Sequence, residues 1–258
     1  MKQFWVILKY ELFSLFISPG TYVATFYFLS LLAIGFRFFI ESFVHTDWIL
    51  PPLSSLVVGL LFGSPALIPF ITMRSFAEER RSGTLETLIS TPISNFMLVL
   101  GKWCACYLFF MMISLLAFGY PAILLISFHE QGYSLGFHDA EVWIGNGLFI
   151  STFGASFTSI GIFASSLTKN QMVAGMLTFT ILTLYISGMA YLFGRDLIFG
   201  NNDFTNAIYH SVSSTMNGLN KLEQFAYGLI DIPTILHQII VAIFCIVLTT
   251  IQINRIHR

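Results

Sequence analysis

The sequence contains 258 residues with a net charge of −1 at pH 7, and 56% of its residues are hydrophobic while only 10% are charged. A soluble domain carries roughly 25% charged residues, so this composition excludes an ordinary water-facing globule. It also excludes a nucleic-acid partner, because no run of Lys or Arg is long enough to follow a phosphate backbone.

The first segment, residues 2–17, has the pattern of an interfacial helix that lies on a membrane. One arc of this helix is apolar and consists of Phe4, Trp5, Leu8, Leu12, Leu15 and Phe16. The opposite arc holds Lys2, Gln3, Lys9 and Ser14. Because Val6, Phe13 and Ile17 also fall on that opposite arc, a packed lead-in to the first span stays open as the alternative. Both interpretations put the segment at the cytoplasmic surface.

Six apolar blocks follow, each near the roughly 20 residues that a helix needs to cross a bilayer. They predict transmembrane helices at about residues 21–41, 53–73, 101–127, 144–167, 171–193 and 233–253. Two connecting segments, 74–100 and 194–232, are long enough to carry structure of their own, and the first of them contains the candidate coupling segment 74–92. The sequence therefore predicts an all-α membrane protein whose single transmembrane domain covers residues 1–258.

The distribution of cations predicts the orientation of the spans, because cytoplasmic segments are enriched in Lys and Arg. If the N-terminus is inside, the cytoplasmic cations are Lys2, Lys9, Arg74, Arg80, Arg81, Lys102, Lys169, Arg255 and Arg258. Only Arg37, Arg195 and Lys221 then lie on the outer side. We therefore expect a multi-pass protein of the bacterial inner membrane with both termini in the cytoplasm.

The predicted spans hold few groups that could do chemistry. In the first span, Arg37 and Glu41 lie four residues apart near the outer end, where they can pair. The other spans have no charged residue or His at mid-depth, although ion-driven carriers normally keep a carboxylate there. The His residues lack metal-ligand spacing, and phosphate-binding, HExxH and GxSxG motifs are absent. The sequence thus predicts no catalytic residue, no metal site and an energy source in another protein.

The charge-dense part of the chain lies between the second and third predicted spans, in residues 73–92. Glu78, Glu79, Arg80 and Arg81 are predicted to form a short exposed helix that ends at the following glycine, Gly83. Thr84 can cap a second helix, in which Glu86 would suit the N-terminal dipole. Composition alone does not distinguish between two interpretations of residues 73–92, a docking element and a solvated loop.

Three blocks of this sequence resemble the permeases of the second ABC-exporter family, in particular the gliding-motility and nitrous-oxide-reductase-maturation type. The first block is Ala77-Glu78-Glu79-Arg80-Arg81-Ser82-Gly83-Thr84-Leu85-Glu86, followed by Thr91-Pro92-Ile93-Ser94 and Gly101-Lys102-Trp103. The second is Gly161-Ile-Phe-Ala-Ser-Ser-Leu-Thr-Lys-Asn-Gln171, and the weaker third runs from Leu219 to Asp231. Together with the leading helix, these blocks cover nearly the whole chain in the family's order.

The resemblance implies that the first cytoplasmic loop contains a coupling helix that docks on a cassette ATPase. The residues carried over to this docking element are Glu78, Glu79, Arg80, Gly83, Thr84, Leu85 and Glu86. It also implies that ATP and Mg are bound by the partner, so that this chain has no cofactor and is not itself an enzyme. Segment 204–230 would dip into the outer leaflet as a gate, with a simple surface loop as the alternative.

The implied partners are a cassette ATPase dimer, a second permease copy or related chain, and the lipid bilayer. A periplasmic or membrane auxiliary protein stays open as a further partner. The expected function is a permease that couples ATP hydrolysis by the separate subunit to movement of an unidentified substrate. The alternative is a mechanotransmitting assembly or maturation module that acts on a periplasmic partner without net transport.

Overall fold

The computed structural model describes residues 2–45, 52–84, 94–127, 140–198, 222, 224, 225 and 227–256. Within these ranges every regular element is an α-helix. The helices are α1 (Lys2–Ile17), α2 (Pro19–His45), α3 (Pro52–Thr72), α4 (Ala77–Ser82), α5 (Asn95–Ser127), α6 (Ala140–Leu167), α7 (Gln171–Ile198) and α8 (Ile232–Ile256). Six of them, α2, α3 and α5–α8, are long and apolar enough to cross a membrane. The predicted all-α fold with six membrane-length helices is therefore confirmed.

The largest difference between a helix and its predicted span is at the start of α5, which begins at Asn95 rather than at residue 101. Ser94 precedes this helix, and its hydroxyl accepts a hydrogen bond from the backbone N–H of Met97 at 3.4 Å. The side chain of Asn95 donates to that of Asn254, near the end of α8, at 2.6 Å. Hydropathy marks only the apolar part of α5, whereas the capping serine and the asparagine pair extend it into the polar boundary.

Helix α6 forms the centre of the bundle, where it packs against α3, α5, α7 and α8. In its apolar span 67% of the residues are buried, compared with 17% in α2 at the periphery. The buried rings of Phe149, Phe153 and Phe157 follow one another along α6 in tilted and edge-on contacts. A Cβ at Gly161 would lie only 2.5 Å from the hydroxyl oxygen of Thr72, so α3 and α6 approach closely at this point.

Helix α1 packs against α5, and this contact changes the interpretation of its apolar arc. Leu8 and Leu15 are buried, and the ring of Phe16 meets that of Phe109 in α5 with centroids 5.3 Å apart. The apolar arc that was expected to face the membrane therefore faces protein, which agrees with the alternative of a packed lead-in. Trp5 is the member of this arc that is exposed instead. The exposed apolar residues of α1 are Trp5, Val6, Tyr10, Phe13 and Ile17. One side of α1 thus contacts α5, and its other side is an exposed face rich in aromatic residues.

Candidate functional site

Helix α4 is the short charged element that follows α3, and it is too short to be stable alone. A helix of six residues forms few internal hydrogen bonds, while isolated helices below about 12–15 residues are marginal in water. It ends at Gly83, whose φ of 75° lies in the left-handed region that closes many helices. Its stability must therefore come from contacts with neighbouring elements.

The N-terminus of α4 is capped by a side chain from α6. Phe76 occupies the capping position but has no side-chain group that could accept a hydrogen bond. Instead, the hydroxyl of Ser165 accepts the backbone N–H groups of Phe76 at 3.1 Å and of Ala77 at 3.2 Å. The first two blocks of the sequence resemblance therefore contact each other, and Phe76 and Ala77 are fully buried between them.

Arg80 connects α4 to the C-terminus of α6. Its guanidinium Nη1 donates to the backbone carbonyl of Ser166 at 2.5 Å. The last carbonyls of a helix lack partners within the helix and carry the negative end of its dipole, so a cation is favourable there. Ser165 and Arg80 thus form two independent links between α4 and the end of α6.

A buried cation connects α4 to α1 and α5. The side chain of Lys102 is only 1% exposed, and its ammonium donates to the carboxylates of Glu11 in α1 and of Glu79 in α4, the latter at 2.8 Å. The ammonium also lies 5.2 Å from the centre of the Phe76 ring, within cation–π range. A buried ammonium is tolerated only when it is paired in this way. We call Glu11, Lys102 and Glu79 the buried triad.

Arg74 holds the turn before α4 against the junction of α1 and α2. Its Nη1 donates to the hydroxyl of Ser18 at 2.6 Å. Ser18 lies between the two helices. The hydroxyl of Thr21 is within hydrogen-bond distance of two backbone carbonyls, that of Ser18 at 2.7 Å and that of Leu15 at 2.6 Å. The turn before α4 is therefore fixed to the point where the chain passes from α1 into its first span.

Within the part of the chain that the structure describes, the remaining side of α4 makes no such contacts with other helices, and its residues are exposed. It comprises Glu78, Arg81, Ser82, Gly83 and Thr84, all exposed, and we call it the outer face of α4. The hydroxyl of Ser82 donates to the backbone carbonyl of Glu78 at 3.0 Å. The same hydroxyl lies 2.8 Å from the hydroxyl of Thr84. A surface of one carboxylate, one guanidinium and two hydroxyls can bind a protein groove with complementary charges.

The structure divides the predicted docking residues into two groups. The prediction of an exposed helix is right for Glu78 and Arg81 but wrong for Glu79 and Arg80, whose side chains are partly buried and paired with other helices. Leu85 and Glu86, and the second short helix predicted after Thr84, lie outside the described residues. Among the described residues, no three His, Cys, Asp or Glu side chains come together where they could hold a metal ion.

Sequence reasoning missed Glu11, Lys102 and Ser165 as members of this site. Two of the three carried a usable signal, because Lys102 is a single charge in an apolar stretch and Glu11 is the one acidic residue of segment 2–17. A charge in such a stretch is rarely buried without a partner, so an ion pair between them could have been expected. Ser165 carried no comparable signal, because hydroxyl residues are frequent throughout α6.

Replacement of Ser165 by Ala is expected to loosen α4 without unfolding the bundle. The N–H groups of Phe76 and Ala77 would lose their acceptor, and loss of such a cap costs about 1–2 kcal/mol. Hydrogen exchange of the α4 amides should then be roughly 5 to 30 times faster in mass spectrometry. Ser166→Ala is the matched control, because its hydroxyl donates only to Phe163 within α6, at 2.7 Å. Equal exchange in both variants would contradict the cap.

One family model matches this chain over residues 41–227, and it describes an ABC-2 family transporter protein. The match covers more than half of the 258 residues and includes the whole of α3 through α7, among them the short helix α4. No curated protein matches the chain.

Proposed function

The chain belongs to the ABC-2 family of transporter proteins, and on that premise we propose that it is the permease subunit of an ABC exporter whose ATP is hydrolysed by a separate cassette ATPase. The family makes it a multi-pass membrane component. ATP and Mg would be bound by the partner, so this chain needs no cofactor of its own and contributes no catalytic residue. On the motif resemblance, we place it in the gliding-motility or nitrous-oxide-reductase-maturation type.

The observation that carries this proposal is the attachment of α4 to two different parts of the bundle, with its outer face left open. The buried triad ties α4 to α1 and α5, while Ser165 and Arg80 tie it to α6. A force applied to the outer face would therefore reach the central helix and a neighbouring span together. This is the arrangement that a coupling helix requires if ATP-driven closure of the cassettes is to tilt the spans.

The proposal assigns different roles to the predicted docking residues. Glu78, Gly83 and Thr84 belong to the surface that meets the ATPase, and Arg81 joins them because it is exposed on the same face. Leu85 and Glu86 stay in the proposed docking segment on the sequence resemblance alone. Glu79 and Arg80 act as anchors that transmit movement, because their charged groups are paired inside the permease.

Several cations near α4 support a location of this end of the bundle in the cytoplasm. Lys102 lies near the start of α5 and pairs with α4, and the bond between Asn95 and Asn254 brings the end of α8 to the same side. Arg81 and Arg255 are exposed at this end, as the enrichment of cations in cytoplasmic segments requires. We therefore propose the bacterial inner membrane as the location, with both termini inside.

A second permease copy, or a related chain, is the proposed membrane partner. Helix α2 is largely uncovered, and an apolar groove of about 760 Å³ runs between α2 and α3 from Pro19 to Phe36. The small residues Gly35 and Ala66 are part of its lining, and small residues let membrane helices approach closely. The groove supports helix pairing there, with lipid covering the remaining outer surface.

A second candidate function is a mechanotransmitting module that acts on a periplasmic partner without net transport. It is favoured by a close contact between the central helix α6 and the described residues 225 and 228 of segment 194–232, which we call the outer segment. Phe225 is fully buried, its ring lies 5.4 Å from that of Phe149, and its carbonyl abuts Gly145. A displacement of α6 would therefore move the outer segment, which a periplasmic or membrane auxiliary protein could contact.

The proposal is tested by affinity purification in mild detergent followed by mass spectrometry of copurifying proteins. Wild type is expected to recover a cassette ATPase, and Glu78→Arg with Arg81→Glu is expected to recover at least tenfold less. Reversal of charges at a complementary interface costs several kcal/mol while leaving the net charge unchanged. A periplasmic protein retained with the complex would favour the second candidate function.

The matched control reverses an exposed pair far from α4, by Arg37→Glu with Glu41→Arg. These residues form an i,i+4 ion pair at 3.0 Å, with side chains 82% and 55% exposed. The control should recover the ATPase as wild type does. Failure of wild type to recover any ATPase would refute the proposed function, and equal losses in both variants would refute the assignment of the outer face.

A further inference from the structure

The exposed face of α1 has the composition of a membrane-surface helix. Trp5 and Tyr10 are 65% and 70% exposed, and Phe13 and Ile17 are uncovered beside them. Trp and Tyr favour the interface between hydrocarbon and water, because their rings are apolar and their tips are polar. Helix α1 ends at Ile17, two residues before the membrane-length helix α2 begins at Pro19, so this face lies at the membrane surface.

The net charge that α1 presents to this surface is positive. Lys9 is exposed, whereas the carboxylate of Glu11 is turned inward to the ammonium of Lys102. The structure describes the α1 side chains of residues 4–17. Among these, Lys9 is the one charged side chain that is exposed. A cation beside exposed aromatic side chains on a surface helix attracts anionic lipid headgroups.

The same ion pair that removes the negative charge from this face also connects it to α4. Glu11 lies two residues after Lys9 on α1, and it shares Lys102 with Glu79 of α4. The contact is tight, because a Cβ at Gly101, next to Lys102, would lie 2.8 Å from the side chain of Ile7 in α1. A movement of α1 would therefore displace Lys102 and change its ion pair with the carboxylate of Glu79.

We propose that α1 binds anionic phospholipid through Lys9 and its aromatic face, and that the buried triad passes this binding on to α4. Headgroup binding holds α1 against α5, keeps Glu11 on Lys102, and thereby orders Glu79 and the docking helix. The regulatory meaning of an ordered α4 rests on the proposed function. The link between lipid and α4 is a property of this chain alone.

The test uses the purified full-length chain, without any ATPase, in nanodiscs. One set contains phosphatidylcholine only, and the other contains phosphatidylcholine with phosphatidylglycerol. Hydrogen exchange of the α4 amides is measured by mass spectrometry. In wild type, phosphatidylglycerol should slow this exchange about fivefold, the factor equivalent to about 1 kcal/mol for one basic residue at an anionic surface.

Three variants separate the two steps of the proposal. Lys9→Gln should abolish the lipid effect at α4, whereas Lys9→Arg should retain it, because only the charge is needed. Glu11→Gln leaves the pair of Lys102 and Glu79 in place, so the protein should fold while the lipid effect at α4 disappears. In that variant, exchange of the α1 amides should still respond to phosphatidylglycerol.

Two results would overturn the proposal. Identical α4 exchange in the two lipid mixtures for wild type would remove the lipid step. A lipid effect at α4 that survives in Glu11→Gln would remove the triad as the connection. Neither result depends on recovery of an ATPase, so failure here is distinguishable from failure of the proposed function.

Discussion

Lys102→Met is expected to lower the free energy of unfolding of the permease by about 3–5 kcal/mol, the cost of removing one partner from a buried ion pair. The carboxylates of Glu11 and Glu79 are 14% and 20% exposed, and both would be left facing each other without a cation. Met has nearly the same length as Lys, so the effect of lost volume is small. Thermal unfolding in detergent, followed by size-exclusion chromatography with fluorescence detection, measures the change.

Neutralisation of both carboxylates provides the control for this prediction. Lys102→Met combined with Glu11→Gln and Glu79→Gln removes the unpaired charges, which are the main cause of the destabilisation in the single variant. The triple variant should therefore melt closer to wild type than the single variant does. If Lys102→Met alone melts like wild type, the buried triad does not stabilise the fold.

Gly145→Ala is expected to destabilise the contact between α6 and the outer segment by about 1–3 kcal/mol or more, the usual cost of overpacking. A Cβ at Gly145 would overlap the carbonyl oxygen of Phe225 and approach the Cα of Gly228 to 3.3 Å. Because these are backbone atoms, they cannot move aside by a rotamer change. Limited proteolysis of the outer segment, together with thermal unfolding, should show the loosened contact.

Gly147→Ala is the matched control, because Gly147 lies two residues further along the same helix. Apart from the surrounding backbone of α6, no atom of the described residues lies within 4 Å of the position that the new methyl group would take. In a helix interior, Ala is favoured over Gly by up to about 1 kcal/mol, so this variant should be as stable as wild type or more so. Equal protease sensitivity of the two variants would show that the outer segment does not rest on Gly145.

The six membrane-length helices were predictable because the thickness of the hydrocarbon core imposes a length on any helix that crosses it. Long apolar blocks are therefore visible in a single sequence, and the predicted spans 144–167 and 171–193 correspond to the separate helices α6 and α7. Polar helix ends were less predictable. The start of α5 depends on the Ser94 cap and on a partner of Asn95 that lies 159 residues away.

The arrangement of the candidate site was only partly predictable, because a local pattern can mark a charge that needs a partner but does not show which distant residue that partner is. The charge-dense segment and its break at Gly83 were found from residue types and spacing. However, Lys102 pairs with Glu11 at a separation of 91 residues and with Glu79 at a separation of 23. Glu79 and Arg80 look like solvated charges in the sequence, and only the neighbouring helices show that both are partly buried and paired.

The external cap on α4 has a consequence for protein engineering. The hydroxyl that closes the N-terminus of α4 belongs to Ser165, which follows Phe76 by 89 positions in the chain. Residues 73–84 are therefore not a portable module, and a chimera that exchanged them alone would carry the outer face of α4 without the side chains that hold α4 in place. A graft intended to transfer partner specificity must also transplant the turn around Ser165 and matching residues at positions 11 and 102.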